Sequence, residues 1–256
     1  MALEPRDSSG RMYHVGLTKR DVGRIAFLPG DPGRVPVIAE YLKDAKLIAS
    51  HREYTTYGGR LAGEHVIATS TGIGGPSAAI AVEELARLGV KVMIRVGTCG
   101  AITRDARVGS VVIADAAVRM EGTSGQYAMA GYPAAATPGV VMALAESAAS
   151  LKKRHSVGLA ASTDSFYVGQ GRKGYGGYFP SDKTSLVEDL RRARVLCFEM
   201  ESSTIFTLCR IFGLKSGALF AVVANRETNE FRPDAGLHDA IEIAVNSVGK
   251  LKKYGV

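Results

Sequence analysis

Apolar residues along this chain recur in two rhythms. In one, short runs are apolar at nearly every position: "RIAFLPG" (24–30), "HVIATSTGIGG" (65–75), "VKVMIRVGTCGA" (90–101) and "SVVIADAAV" (110–118). "HSVGLAASTDSF" (155–166), "RVLCFEM" (194–200) and "SGALFAVVANR" (216–226) repeat it further on. Such runs predict strands buried on both faces. In the other rhythm, apolar residues stand three and four apart, as in "PVIAEYL" (36–42), "PSAAIAVEELARLG" (76–89) and "PGVVMALAESAASLKK" (138–153). "ESSTIFTLCRIFG" (201–213) and "LHDAIEIAVNSVGKLKKY" (237–254) share that spacing. It lines one face of a helix, and Pro76 and Gly213 suit a helix start and a helix stop.

Strand and helix alternate with no break in composition. The pattern predicts one α/β domain, a central mixed β-sheet with helices on both faces. Residues 1–12 are expected to form a flexible tail and 13–256 the domain. In such sheets ligands gather at the C-terminal ends of the strands. The stretch "RKGYGGYFPSDKTS" (172–185), rich in Gly, Ser, Tyr and Lys, is expected to be a lid there.

Composition narrows the class. With 256 residues, 46% hydrophobic and 22% charged, the chain can bury a core that needs no disulfide or metal staple. Cys99, Cys197 and Cys209 form no CxxC pair, which predicts structural thiols in a reducing, cytoplasmic setting. The first residues lack the apolar core of a signal peptide, and no apolar run approaches the roughly 20 residues of a membrane span. The net charge of +7 points to an anionic partner. Its clusters, "LKKRH" and "GKLKKY", fall at expected helix ends, and the chain lacks clustered aromatics interleaved with basic residues. A small anion such as phosphate therefore fits better than nucleic acid.

Glycine-marked strand ends carry the candidate anion groups. "LPGDPGR" places Gly30 and Asp31 at a turn and Arg34 at the start of the next helix, with Asp31 as the expected cap. "IRVGTCGA" is expected to end its strand in a glycine turn, with Arg95 and Thr98 as a charge-assisted phosphate clamp. "SHREYTT" adds Arg52 from a polar edge strand. "GIGGPSAA" has the wrong spacing for a dinucleotide fingerprint, and "GTCGA" lacks the Lys-Ser/Thr pair of a P-loop.

Two further stretches supply planar and sugar-binding chemistry. In "DSFYVGQGR" (164–172), Gln170 can both donate and accept, whereas Arg172 only donates. In an extended loop the two would point the same way and converge on one flat edge, such as the O2, N3–H and O4 edge of uracil. Phe166 would stack on that ring. In "FEMES" (198–202), Glu199 and Glu201 flank Met200 where a strand meets a helix. A carboxylate there can grip a vicinal diol while Met200 covers the apolar face of a sugar. Carboxylates so close in sequence cannot straddle a glycosidic bond, and no His/Asp cluster completes a metal sphere.

Together, "YHVGLTK", "PGDPGRV", "SHREYTT", "STGIGGPSAAIAVEELA", "RVGTCGAI", "SFYVGQGR", "FEMES" and "VVANR" resemble the nucleoside phosphorylase family. The resemblance runs in order from Tyr13 to the C-terminal helix, and the Gln-x-Arg pair resembles the uridine branch. It implies the family's three-layer α/β fold and a pentosyl transfer from uridine to phosphate. Inorganic phosphate, a co-substrate, would be held by Gly30, Arg34, Arg95 and Thr98, with Arg52 from a neighbouring subunit. Ribose would be held by Met200 and Glu201, with His14 from the neighbour. The base would rest on Phe166, Gln170 and Arg172, supported by Arg226. Catalysis would fall to Arg172, Arg95 and Glu201, with no required cofactor and no covalent enzyme intermediate. The resemblance also implies a homo-oligomer, typically a hexamer, with a K+ ion near Glu53, Ile73 and Ser77 at the interface.

The purine branch is the alternative, since Cys99 in "GTCGA" is at home there too. That branch carries an acidic residue after the late strand, where "VVANR" has Asn225, so the pyrimidine branch is preferred. A hydrolytic nucleosidase of the same fold would have no use for Arg34, Arg52 and Arg95.

Overall fold

Alternate residues of a strand face opposite sides of a sheet, and that period sorts the apolar runs into two cores. The computed structural model describes residues 5–256. Its first strand, β1 (Ile25–Leu28), sends Ile25 and Phe27 into one core and Ala26 and Leu28 into the other. Helix α1 (Arg34–Ala39) precedes an antiparallel meander of β2 (Lys43–His51), β3 (Tyr54–Leu61) and β4 (Glu64–Thr69). Helix α2 (Gly75–Leu88) leads to β5 (Val92–Ala101), β6 (Val111–Met120) and the short β7 (Ala134–Ala135). Next come α3 (Pro138–Ser150), β8 (His155–Thr163) and, after three 3-10 turns, α4 (Leu186–Arg192). The chain closes with β9 (Val195–Glu199), α5 (Ser202–Ile211), β10 (Lys215–Asn225), β11 (Glu230–Phe231) and α6 (Leu237–Ser247).

The strands form one mixed sheet in the order β11-β10-β6-β8-β9-β5-β1-β4-β3-β2, with β7 beside β6. A further pairing of β10 along β5 closes β10, β6, β8, β9 and β5 into a ring, from which β1, β4, β3 and β2 extend as a wing. Helices α2 and α5 cover one face, with Val82, Leu85, Ile205 and Phe206 packed in the core that holds Phe220. Helices α1, α3 and α6 cover the other, with Ile38, Leu144 and Ile241 in the core of Phe27 and Ile94. This is the α/β architecture with a mixed sheet that the two rhythms predict.

Two local expectations are corrected. Strand β5 does not end in a glycine turn: it runs through "GTCGA" to Ala101, paired with β10 along its whole length and with β9 at Gly100 and Ala101. Glycine is needed at position 97 for close approach, since a Cβ there would lie 3.0 Å from the Phe220 ring and 3.2 Å from the Arg95 guanidinium. Asp31 does not cap α1. Its Oδ1 accepts the Gly33 N–H at 2.8 Å within the preceding turn, and the helix starts from Gly33 without a side-chain cap.

Residues 1–4 of the expected tail lie outside the described residues. From Pro5 the chain folds back on itself, with Arg6 bridged to Met12 and Met12 buried in the core. Among the described residues, no helix is long and apolar enough to cross a membrane.

Candidate active site

A cavity of about 680 Å³ opens beside the start of α5, walled by residues of β5, β9 and the last part of β10. Arg95 projects from the middle of β5 and is only 5% exposed. Its Nε donates to Glu199 Oε2 at 3.3 Å and its Nη2 pairs with Glu201 Oε2. The third nitrogen, Nη1, is buried with no partner among the described residues. A Cβ on Gly30 would stand 3.8 Å from that Nη1, so the glycine turn and the unsatisfied donor face the same small volume. A buried donor left unmatched costs free energy, and an anion entering there would recover it.

The two glutamates differ in what holds them. Glu199 accepts the backbone N–H of Glu201 at 2.9 Å, the N–H of Ser202 at 3.0 Å, the Ser202 hydroxyl at 3.0 Å and the Ser162 hydroxyl. Ser162 reaches in from β8, and the others are donors at the start of α5, where free N–H groups and the helix dipole favour a negative charge. Glu199 is thereby committed to the scaffold and fixes Arg95. Glu201 has fewer anchors: Arg95, the Met200 N–H, and the Gly74 N–H at 2.5 Å, which Gly74 offers from a backbone with a positive φ of 93°. Burial pushes the Glu201 carboxyl above its ordinary value, Arg95 pulls it back, and Glu199 pushes it up again. Arg34 stands at the same end of the cavity, held below the usual guanidinium range chiefly by burial, with its Nε 4.0 Å from Asp31. Thr98 lines that cavity from β5.

At the other end, residues 168–170 make a 3-10 turn and Gly171, with φ of 72°, reverses the chain. Gln170 and Arg172 therefore meet through a tight turn and not through the extended loop the sequence predicts. Arg172 Nη1 donates to Gln170 Oε1 and to the Phe166 carbonyl, both at 2.8 Å, and its guanidinium lies 4.2 Å from the centre of the Phe166 ring. Arg226 stands behind them, bonded to the Gln170 carbonyl and placed over the Phe198 ring at 5.0 Å. With Arg226 Nη2 also 3.5 Å from Gln170 Oε1, two guanidinium groups turn the amide so that its NH₂ is the end left to donate. Burial lowers both arginines, and Arg172 lowers Arg226 further.

Gly30, Arg34, Arg95, Thr98, Phe166, Gln170, Arg172, Met200 and Glu201 thus share one cavity, as do Glu53 and Ile73 at its rim. Ser77 sits one turn into α2 and its hydroxyl donates to the Ile73 carbonyl at 3.1 Å. Arg52 and His14 are not brought there. Arg52 is exposed at the β2–β3 turn, bonded to the Tyr13 hydroxyl at 3.4 Å. His14 opens on a separate hollow beside α2, its Nδ1 held by Glu84 at 2.7 Å. Asn225 is also elsewhere: it is buried, and its amide donates to the Thr103 and Ala106 carbonyls at 2.9 and 2.8 Å. It does not line the cavity, so its failure to be an acid says nothing about the base.

Sequence reasoning missed Ser162, which donates to Glu199 and accepts the Ser203 N–H at 2.9 Å. It missed Glu121, which accepts from the hydroxyls of Ser203 at 2.9 Å and Thr204 at 3.1 Å. A serine closing the buried run "GLAAS" was the available signal for the first. Among the described residues, no three His, Cys, Asp or Glu side chains gather as a metal site.

A cavity with an unsatisfied arginine at one end and a Gln–Arg pair at the other, on this sheet, defines a class. The family model of the phosphorylase superfamily matches residues 24–251, and the chain belongs to that superfamily. Within it, a uridine phosphorylase of Thermococcus kodakarensis is 51% identical over 253 residues, covering 99% of this chain and 91% of its own. A uridine phosphorylase of Escherichia coli is 42% identical over 226 residues, 87% of this chain and 89% of its own. A guanosine phosphorylase of Halorubrum lacusprofundi is 40% identical over 212 residues, 83% of each chain.

Proposed function

We propose that this chain is a uridine phosphorylase, a pentosyltransferase that moves ribose reversibly between uracil and inorganic phosphate. The observation that carries this reading is the buried, unpartnered Nη1 of Arg95 beside Gly30, in the cavity whose far end holds Gln170 and Arg172. Relatives named uridine phosphorylase at 37–51% identity support it.

Phosphate held by Gly30, Arg34, Arg95 and Thr98 presents one oxygen to the anomeric carbon. That C–O bond forms as the bond to uracil N1 breaks, and the electron pair leaves with the base. Arg172 donates to the uracil oxygen where the charge collects, while the Gln170 amide orients the ring. Removing one such preorganised donor typically costs roughly 10²–10³ in rate. Glu201 accepts from the ribose hydroxyls and Met200 covers the sugar's apolar face, so that much of the remaining advantage is positional.

Arg52 and His14 belong, in this reading, to the cavity of a second copy. Their places outside their own chain's cavity support that, and the assembly is a hexamer built of such dimers. Glu53, the Ile73 carbonyl and the Ser77 hydroxyl offer only oxygen donors, which suits a K+ ion ordering that interface. Three buried, unpaired cysteines support a cytoplasmic setting. The guanosine phosphorylase relative favours a second reading, in which the base is a purine.

The test is phosphorus NMR of the protein incubated with uridine and phosphate. Ribose 1-phosphate appearing only with protein, uridine and phosphate together is the expected result. Free ribose without phosphate consumption, or no product, overturns the reading.

A further inference from the structure

A second cleft, of about 490 Å³, shares no lining residue with the candidate active site. Four arginines line it: Arg104, Arg107, Arg154 and Arg232. Among the described residues, Arg107 and Arg154 are in no ion pair. Arg232 Nη2 donates to the Val108 carbonyl at 3.2 Å, and Arg104, 80% exposed, is 3.7 Å from Glu227. The one acid in the lining, Glu230, accepts from the Thr228 hydroxyl at 3.1 Å.

The arrangement is built, not incidental. The arginines come from three separate segments: the loop after β5, the residue just before β8 and the residue just after β11. Buried Asn225 ties two of these together, donating to the Thr103 and Ala106 carbonyls while its Oδ1 accepts the Glu227 N–H at 2.8 Å. The Val111 N–H reaches the Arg154 carbonyl at 3.0 Å, and the Arg232 N–H reaches the Val223 carbonyl at 2.8 Å. Backbone hydrogen bonds thus hold four guanidinium groups around one hollow against a single lining carboxylate, an excess of positive charge that favours an entering anion.

The lining also says what kind of anion. Guanidinium groups match phosphate oxygens in paired hydrogen bonds. No aromatic ring lines the cleft, because Phe231, next to Arg232, turns into the active-site cavity. Nothing is there to stack a base, and four dispersed forks exceed what one orthophosphate can engage. We propose that this cleft is a second anion site that binds an oligophosphate, meaning two or more linked phosphates, free or as the tail of a nucleotide.

The experiment is calorimetric titration of the full chain with inorganic tripolyphosphate in about 0.1 M salt, where distant surface charges are screened. Five proteins are compared: wild type, Arg34→Ala, Arg107→Ala/Arg154→Ala, the triple variant and Arg107→Glu. Arg34→Ala, weakened at the catalytic anion position, is expected to keep a tripolyphosphate site. Adding Arg107→Ala/Arg154→Ala should weaken that site at least about tenfold, as loss of charge-assisted bonds implies. The double variant alone should keep wild-type turnover, which also reports that it folds. An Arg107→Glu single variant should weaken binding as well. Titrating ATP beside tripolyphosphate separates the sources: equal affinity assigns the phosphates alone, and tighter ATP assigns the nucleotide. Binding that Arg34→Ala abolishes, or that the Arg107 and Arg154 changes leave intact, overturns the proposal.

Discussion

Replacing Arg95 with methionine removes the guanidinium that two buried carboxylates share. Breaking a buried ion pair by deleting one partner typically costs about 3–5 kcal/mol, because a charge is left without compensation. The cost here is unevenly distributed. Glu199 keeps the N–H groups of Glu201 and Ser202 and the hydroxyls of Ser162 and Ser202, whereas Glu201 keeps only two backbone donors, the N–H groups of Gly74 and Met200. The lower end of the range, about 3 kcal/mol, is therefore expected. In a domain of this size about 2–4 °C of melting temperature corresponds to each kcal/mol, so a fall of about 6–12 °C should follow. The assay is thermal melting by circular dichroism at pH 7, with every variant at one protein concentration so that assembly does not bias the comparison. Adding Glu201→Gln to Arg95→Met should restore more than half of the loss, whereas adding Glu199→Gln should not. A melting point within 2 °C of wild type for Arg95→Met, or no recovery with Glu201→Gln, would refute the reasoning.

Other expectations follow from the same geometry. Burial raises the Glu201 carboxyl above its ordinary value of 4.5, so it takes up a proton at a higher pH than an exposed glutamate. Nucleoside KM should rise as pH falls into that window in wild type, and stay high and flat in Glu201→Gln; parallel profiles would contradict this. At Glu121 burial pushes upward, but hydrogen bonds from Ser124, Ser203 and Thr204 outweigh it and leave the carboxyl below 4.5. That stabilisation is present above the unfolded value and lost as pH falls through the folded one. Glu121→Gln should therefore melt lower than wild type at pH 7, with the gap closing in acid. A Cβ at Gly75 would meet Thr123 Oγ1 at 2.7 Å and Thr204 Oγ1 at 2.8 Å, so Gly75→Ala should lose about 1–3 kcal/mol in a denaturant titration. An unchanged midpoint would show that both threonines yield freely.

The strands of the closed ring were legible because they are buried on both faces and read as unbroken apolar runs. The β2–β3 hairpin was legible only as a polar edge strand at "SHREYTT", without the turn that Arg52 occupies: β2 does lie at the sheet edge, but it is mostly exposed and its residues show neither a run nor a clean alternation. Helix α4 is seven residues with none fully buried, too short to impose a period. At the site, residue types were readable and their relations were not. "GTCGA" looks like a turn in one dimension, yet β10 pairs along all of it. Gln170 and Arg172 meet, but through Gly171 in a left-handed conformation. Asn225 was assigned a meaning for the base, whereas its amide is spent on the loop that carries Arg104 and Arg107. The scaffolding roles of Ser162 and Glu121 depend on contacts across more than 35 positions of the chain, which no local pattern encodes.

The central claim is that one end of the cavity holds phosphate and the other reads a pyrimidine edge. The most direct test follows the ultraviolet change of uridine and of inosine side by side, each with and without phosphate. Phosphate-dependent loss of uridine is expected, with kcat/KM for inosine lower by about 10⁴, the discrimination that unmatched buried hydrogen-bonding groups can impose. Faster turnover of inosine, or loss of uridine that does not need phosphate, would contradict it.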